Sequence, residues 1–264
     1  FAGRLVRRDA ERAALDCIGL MHPQKYIDQI VASVPSSGIT RLDADTCLSP
    51  GSLEAALRAV GAACSAVDAV VLGESKNAFC AVRPPGHHAE TNQAMGFCIF
   101  NTVAIAAAYA RRRHGVERVA VIDFDVHHGN GTQEMFWSDQ NLFFASTHQM
   151  PLYPGTGSKS ERGEFDNIVN CPLIAGDGSG EFRTAISDVI LPALETFQPD
   201  LLLVSAGFDA HMNDPLAGLN LQDSDYAWVT KQLLEVADKF TNGRLISTLE
   251  GGYDLLALTS SVAS

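Results

Sequence analysis

No CxxC pair, no run of about 18 apolar residues and no excess of basic charge occurs in this 264-residue sequence. The six cysteines, at 17, 47, 64, 80, 98 and 171, have neither zinc-finger nor secreted-framework spacing. They read as reduced thiols of a reducing compartment, packed rather than catalytic. Without a long apolar run the chain has no candidate membrane span. Nineteen Lys and Arg stand against 31 Asp and Glu, a net charge of −12. That balance argues against a nucleic-acid partner, which needs a basic footprint. The basic run Arg111-Arg112-Arg113-His114 is expected to be the solvated end of a helix. No internal repeat, low-complexity tract or Pro/Gly/Ser-rich linker divides the chain, so one domain is expected over 1–264. Phe1-Ala2-Gly3-Arg4 has no initiator Met and no signal-peptide pattern. The expectation is therefore a cytoplasmic domain, truncated at one or both ends.

What is present alternates. Helical patterns occupy about 9–20, 24–34, 52–70, 100–113, 180–197 and 223–240. Short apolar strands lie near 78–83, 119–124, 141–146, 201–205 and 244–249. This predicts an α/β fold with a mostly parallel central sheet flanked by helices. In such sheets ligands bind beyond the carboxyl ends of the strands.

Four strand ends carry polar cargo. The first is Arg83-Pro84-Pro85-Gly86-His87-His88-Ala89-Glu90, a rigid turn followed by two imidazoles suited to proton transfer. The second, Asp123-Phe124-Asp125-Val126-His127-His128-Gly129-Asn130, runs a buried strand directly into charge. Strand alternation starts Asp123, Asp125 and His127 on one face. Buried carboxylates gathered with an imidazole call for a cation, and these donors suit Zn²⁺. The third, Ser205-Ala206-Gly207-Phe208-Asp209-Ala210-His211, again ends a strand in an acid. Asp125, His127 and Asp209 would be three ligands, leaving an open position as catalytic zinc sites do. The fourth, Leu249-Glu250-Gly251-Gly252-Tyr253-Asp254, allows a close backbone approach and brings a phenol that can donate to an oxyanion. Each has a plainer reading when taken alone: in order, a loop with two exposed histidines, a buried Asp–His hydrogen-bonded pair without metal, a helix cap and a common turn. His22 is expected at a turn or helix start, His114 in the basic helix end and His128 as a packing residue, and Pro154-Gly155-Thr156-Gly157 lacks the Lys of a phosphate loop.

Together RPPGHHAE at 83–90, GFCIFN at 96–101, DFDVHHGNGTQ at 123–133, SAGFDAH at 205–211 and LEGGYD at 249–254 closely resemble the zinc-dependent histone deacetylases. The order and spacing match from about residue 22 to 258. Asn130, where class I enzymes carry Asp, resembles the class II branch and the bacterial histone deacetylase-like amidohydrolases. The resemblance implies the single-domain arginase–deacetylase fold. It implies Asp125, His127 and Asp209 as Zn²⁺ ligands and His87 paired with Asp123. It implies His88 as general base and then acid, with Asn130 as its partner, and Tyr253 as the transition-state tyrosine. Gly96 matches the carbonyl that receives the substrate amide, Phe97 one aromatic wall of the acyl-lysine channel, and Tyr153 the other, where many relatives have Phe. Structural K⁺ is implied at the carbonyls of Asp123, Asp125, His127 and Thr147, with Ser146.

The expected reaction is hydrolysis of an N-acetyl amide, with an acetyl-lysine peptide or protein, or an acetylated small amine, as substrate. Leu216 stands at the rim, where polyamine-selective relatives carry Glu; Asp45 and Asp214 are other acids near the mouth. An acetylpolyamine amidohydrolase, a two-manganese ureohydrolase and a catalytically weak acyl-lysine-binding module stay open at this stage. A homo-oligomer stays open as well.

Overall fold

The computed structural model describes residues 5–264, so Phe1-Ala2-Gly3-Arg4 lies outside the described residues. The chain begins with α1 (Leu15–Ile18) and α2 (Gln24–Ser33). A hairpin of β1 (Thr40–Arg41) and β2 (Cys47–Leu48) and the long helix α3 (Ser52–Val71) follow. Strand β3 (Asn77–Cys80), α4 (Thr102–His114), β4 (Val119–Asp123), α5 (Asn130–Phe136) and β5 (Leu142–Gln149) come next. The rest is β6 (Ile168–Leu173), α6 (Ser179–Thr184), continued through a π-helical stretch (Ala185–Ile190) into α7 (Leu191–Phe197), then β7 (Leu201–Ala206), α8 (Asp223–Phe240), β8 (Leu245–Leu249) and α9 (Leu255–Ala263).

The main sheet has the order β3–β8–β7–β4–β5–β6, and every neighbouring pair is parallel. Strands β4, β5 and β7 are buried along their whole length. Two apolar layers explain why they read as unbroken hydrophobic runs. Ala120 and Ile122 face a core with Phe182, Ile186, Val229 and Leu233. Val119 and Val121 face the opposite core, with Val67, Val70, Val103 and Ala107 of α3 and α4. Among the described residues no helix is long and apolar enough to cross a membrane.

Two readings change. The helix expected over 9–20 shrinks to Leu15–Ile18. Residues 10–13 instead run as a strap along α3, with Ala13 N–H donating to the Leu57 carbonyl at 3.0 Å and Arg58 donating to the Ala10 carbonyl at 2.8 Å. Gly61 permits that approach, because a Cβ there would collide with the Glu11 carbonyl. Strand β6 was not visible in the sequence, where Asn170 and Pro172 interrupt its apolar pattern. It is the outer strand beside β5, where a proline is tolerated.

Parallel strands end on the same side of a sheet. The four strands that carry the polar cargo, β3, β8, β7 and β4, are consecutive neighbours in the sheet. Their C-terminal loops therefore form one contiguous floor.

Candidate active site

Strand β4 stops at Asp123, and the turn beyond it is shaped by carboxylates accepting main-chain N–H groups. Asp123 accepts from Asp125 N–H at 3.0 Å, Asp125 from His127 N–H at 2.9 Å, and Asp209 from Val126 N–H at 2.9 Å. Asp123 turns to one side, where its Oδ2 lies 2.9 Å from His87 Nδ1. Asp125, His127 and Asp209 converge on the other side. Their candidate ligand atoms all lie within 4.8 Å of one another.

The donors fit a divalent cation. Two buried carboxylates and one imidazole form an open three-ligand set, of a type that suits Zn²⁺. The remaining oxygens are already occupied: Gly251 N–H donates to Asp125 Oδ2 at 2.7 Å. A Cβ at Gly251 would strike both carboxylates, so only glycine fits there. His127 Nδ1 lies 3.2 Å from Asp125 Oδ1 and 3.1 Å from Asp209 Oδ2. Burial disfavours charge on His127, yet its hydrogen bonds to Asp125 and Asp209 outweigh this and lift it to about 10. Burial, reinforced by Asp125, pushes Asp209 up to about 6.

The two tandem imidazoles differ. For His87, burial is outweighed by Asp123, Asp125 and Glu250, which hold it well above the ordinary histidine range. His88 is held well below that range by burial and by His87, whose ring centroid lies 4.0 Å away. His88 Nδ1 is 2.9 Å from Asn130 Oδ1, and Asn130 Nδ2 donates to Glu90 at 2.8 Å. The Glu90 contact fixes the amide orientation. Nδ1 of His88 must then carry the proton, and Nε2 is left with a free lone pair.

A cavity of about 250 Å³ opens above this floor, lined by Asp125, His127, His87, His88 and Tyr253. This is slightly below the usual range of roughly 300–1,000 Å³ for small-molecule sites, so it suits a slender ligand. Phe97, Tyr153, Gly96, Leu216 and Asp45 complete its wall and mouth. Phe97 adopts φ +66°, a left-handed conformation unusual for a side chain this large. The β1–β2 turn holds it there: Phe97 N–H donates to Thr46 Oγ1 and Gly96 N–H to Asp45 Oδ1, both at 3.2 Å. Tyr153 stands edge-on to His88, with centroids 5.2 Å apart. Tyr253 packs against Phe97, and the Arg83 guanidinium lies 5.9 Å over its ring.

His128 points away from this site, with Thr156 at 2.7 Å and Gln133 at 3.0 Å on its two ring nitrogens. His22 is buried, with Nδ1 bonded to the Thr91 carbonyl and Nε2 accepting Asn101 N–H. Ser146 and Thr147 are buried on β5, and Ser146 pairs in register with Asp123. Asp214 does not serve the mouth as an acid. It is 7% exposed, and both its oxygens accept main-chain N–H groups.

Two residues inside the recognised motifs were given no role by sequence reasoning. Glu250 is fully buried. It accepts Gly86 N–H at 2.6 Å, His87 N–H at 3.2 Å and the Ser205 hydroxyl at 3.1 Å, tying three strand ends together. Arg83 donates to the Glu250 carbonyl. The signal for Glu250 was available: an acid directly after an apolar strand, as at Asp123.

A parallel α/β sheet whose adjacent strand ends assemble an Asp–His–Asp cluster beside a histidine pair is a framework for hydrolytic chemistry. Residues 2–264 match the model of the histone deacetylase domain, and the chain belongs to that family. It is 41% identical to histone deacetylase 10, chloroplastic, of rice, over 97% of this chain and 61% of that protein. It is also 41% identical to the histone deacetylase-like amidohydrolase of Pseudomonas aeruginosa, over 96% of this chain and 67% of that protein. The crystal structure of the HDA15 HD domain superposes with a TM-score of 0.94 at 33% identity, covering 100% of this chain and 74% of that one. The chain thus spans about two thirds of these two relatives' length.

Proposed function

We propose that the chain, as one deacetylase domain over 1–264, hydrolyses N-acetyl amides, with acetyl-lysine in peptides or proteins as the principal substrate class. Asp125, His127 and Asp209 would hold Zn²⁺. When bound, Zn²⁺ supplies Lewis acidity to the acetyl carbonyl and to the attacking water. His88 Nε2, free of a proton, accepts one from that water and then delivers it to the leaving amine. His87, charged against Asp123, keeps His88 neutral and ready to accept. The Tyr253 hydroxyl donates to the oxyanion that develops on the acetyl oxygen, a contribution of about 3 kcal/mol in comparable sites. Phe97 and Tyr153 flank the acyl-lysine stem and exclude water, and the Gly96 carbonyl receives the substrate amide N–H.

One observation carries this reading. His88, whose Nδ1 is engaged by Asn130 Oδ1, lines the same cavity as Asp125, His127 and Tyr253. The family membership and the amidohydrolase-like relative support it. The class II affiliation rests on Asn130. Structural K⁺ is proposed beside Asp123, Asp125, His127, Ser146 and Thr147. Support for it is the burial of Ser146 and Thr147 on β5, where Ser146 pairs in register with Asp123 at the end of β4.

A second reading has its own observation: Asp45 is exposed and lines the cavity mouth, where it could receive the distal ammonium of an acetylpolyamine. The test is a turnover panel of acetyl-lysine peptides and acetylpolyamines, run with chelator and with Zn²⁺ restored. Chelator-sensitive turnover favouring the peptide supports the first reading. Preference for the polyamine supports the second. No turnover of either substrate with Zn²⁺ present would leave a binding module.

A further inference from the structure

The loop after β7 carries a buried carboxylate that belongs to neither the cation cluster nor the histidine pair. Asp214 Oδ2 accepts the N–H of Tyr253 at 2.7 Å and that of Asp254 at 3.3 Å. Its Oδ1 accepts the N–H of Leu216 at 3.0 Å. The main chain of Asp214 is itself anchored, donating to the His211 carbonyl at 2.8 Å. One side chain therefore joins the backbone of the phenol-bearing turn to the backbone of the cavity rim. Leu216 and Tyr253 line the same cavity.

We infer that Asp214 is a positioning residue that sets the Tyr253 hydroxyl against the substrate by locking its turn to the rim at Leu216. This rests on the role of Tyr253 given under Proposed function. The choice of residue follows from acceptor arithmetic. The two carboxylate oxygens serve three N–H donors, two on one oxygen and one on the other. Asparagine has one acceptor oxygen, and its NH₂ would face an N–H. It must therefore release either the rim or the Tyr253 turn. The turn is pinned at its two ends, where Gly251 N–H donates to Asp125 Oδ2 at 2.7 Å and Asp254 Oδ1 accepts Ala257 N–H at 2.8 Å; between them Gly252 is at φ +132°, a conformation open mainly to glycine, and Asp214 holds the Tyr253 N–H. The Tyr253 ring stands edge-on to Phe97, with centroids 6.1 Å apart, and the Arg83 guanidinium lies 5.9 Å over it. Misplacing a catalytic group by about 1 Å can cost about 100-fold in rate.

The experiment is a double-mutant cycle of Asp214→Asn and Tyr253→Phe with an acetyl-lysine peptide. Zn²⁺ content is measured for each protein, and kcat is counted per site titrated with a hydroxamate. Asp214→Asn should keep its metal, lower kcat by about 10- to 100-fold and raise KM less. With Tyr253 already Phe, the same substitution should change kcat by less than about twofold, because two residues acting through one group are not additive. Full multiplication of the two losses would overturn the inference, since Asp214 would then act elsewhere. So would an unchanged kcat in Asp214→Asn. If Tyr253→Phe alone leaves kcat intact, the role assigned to Tyr253 fails, and with it the premise. Should Asp214→Asn give no titratable sites, Asp214→Ser, which is smaller and retains one acceptor, goes through the same cycle with the same criteria.

Discussion

His88 Nδ1 and Asn130 Oδ1 are 2.9 Å apart, and no ionisable group stands in that place to draw a second proton onto the imidazole. Replacing the amide by a carboxylate should make His88 more basic. In Asn130→Asp the acid limb of the kcat/KM profile should move to higher pH, by about one unit or more. A charged neighbour favours the imidazolium, so a higher pH is needed to free Nε2. An acid limb that stays in place would show that His88 is not the base seen in the profile.

Asp209→Ala should abolish metal binding and turnover together. It leaves two protein ligands for an ion that takes four, and it removes the acceptor of Val126 N–H that shapes the turn. Elemental analysis of the purified variant is the measurement. Full Zn²⁺ occupancy would remove Asp209 from the ligand set.

Acid should weaken the fold through His22. Burial lowers its pKa from 6.5 to about 4, while the unfolded chain has the ordinary value near 6.5. The unfolded state therefore binds more protons in this window, and stability rises with pH across it. Stability contributed by the neutral ring is present above about pH 6.5 and is lost as pH falls towards 4, up to about 3 kcal/mol. Urea titrations from pH 7.5 to 4 should show a steeper loss in the parent than in His22→Asn, which starts less stable at pH 7.5. Parallel losses would contradict the assignment.

Leu216 is 44% exposed at the cavity mouth. Leu216→Glu should shift kcat/KM towards an acetylpolyamine over a neutral acetyl-lysine peptide. Partial exposure limits the effect to about two- to fivefold, the range of a surface ion pair. The shift should shrink as salt rises, since screening beyond about 8 Å already operates at physiological ionic strength. A ratio unchanged at low salt would mean that Asp45 or another group governs cation recognition.

Alternating apolar strands and amphipathic helices, each with its own period, were enough to predict a parallel sheet covered on both faces. The same reading failed where tertiary contacts replaced local preference. Residues 10–13 have helical composition, yet their backbone partners lie on α3. Strand β6 carries Asn170, whose amide donates to Gln133 and to the Glu161 carbonyl, a demand no pattern of hydrophobicity encodes. Asp214 shows the limit most sharply. In the sequence it is one more acid near a rim leucine; in the fold it is buried and committed to three N–H groups.

The sequence by itself determined the chemical inventory: which strands end in Asp, His or Tyr, and where glycine leaves the backbone free to approach them. These are local properties, written in side-chain type and in periods of 2 and 3.6. Only the tertiary structure decided that β3, β8, β7 and β4 are neighbours, so that four loops scattered from residue 83 to 254 share one cavity. It also decided which nitrogen of His88 is free, that Phe97 is held in its left-handed conformation by Thr46, and that the Tyr253 turn is held by Asp214. Such relationships depend on strand order, register and the hydrogen bonds that buried groups must find, all of which join residues far apart in the chain.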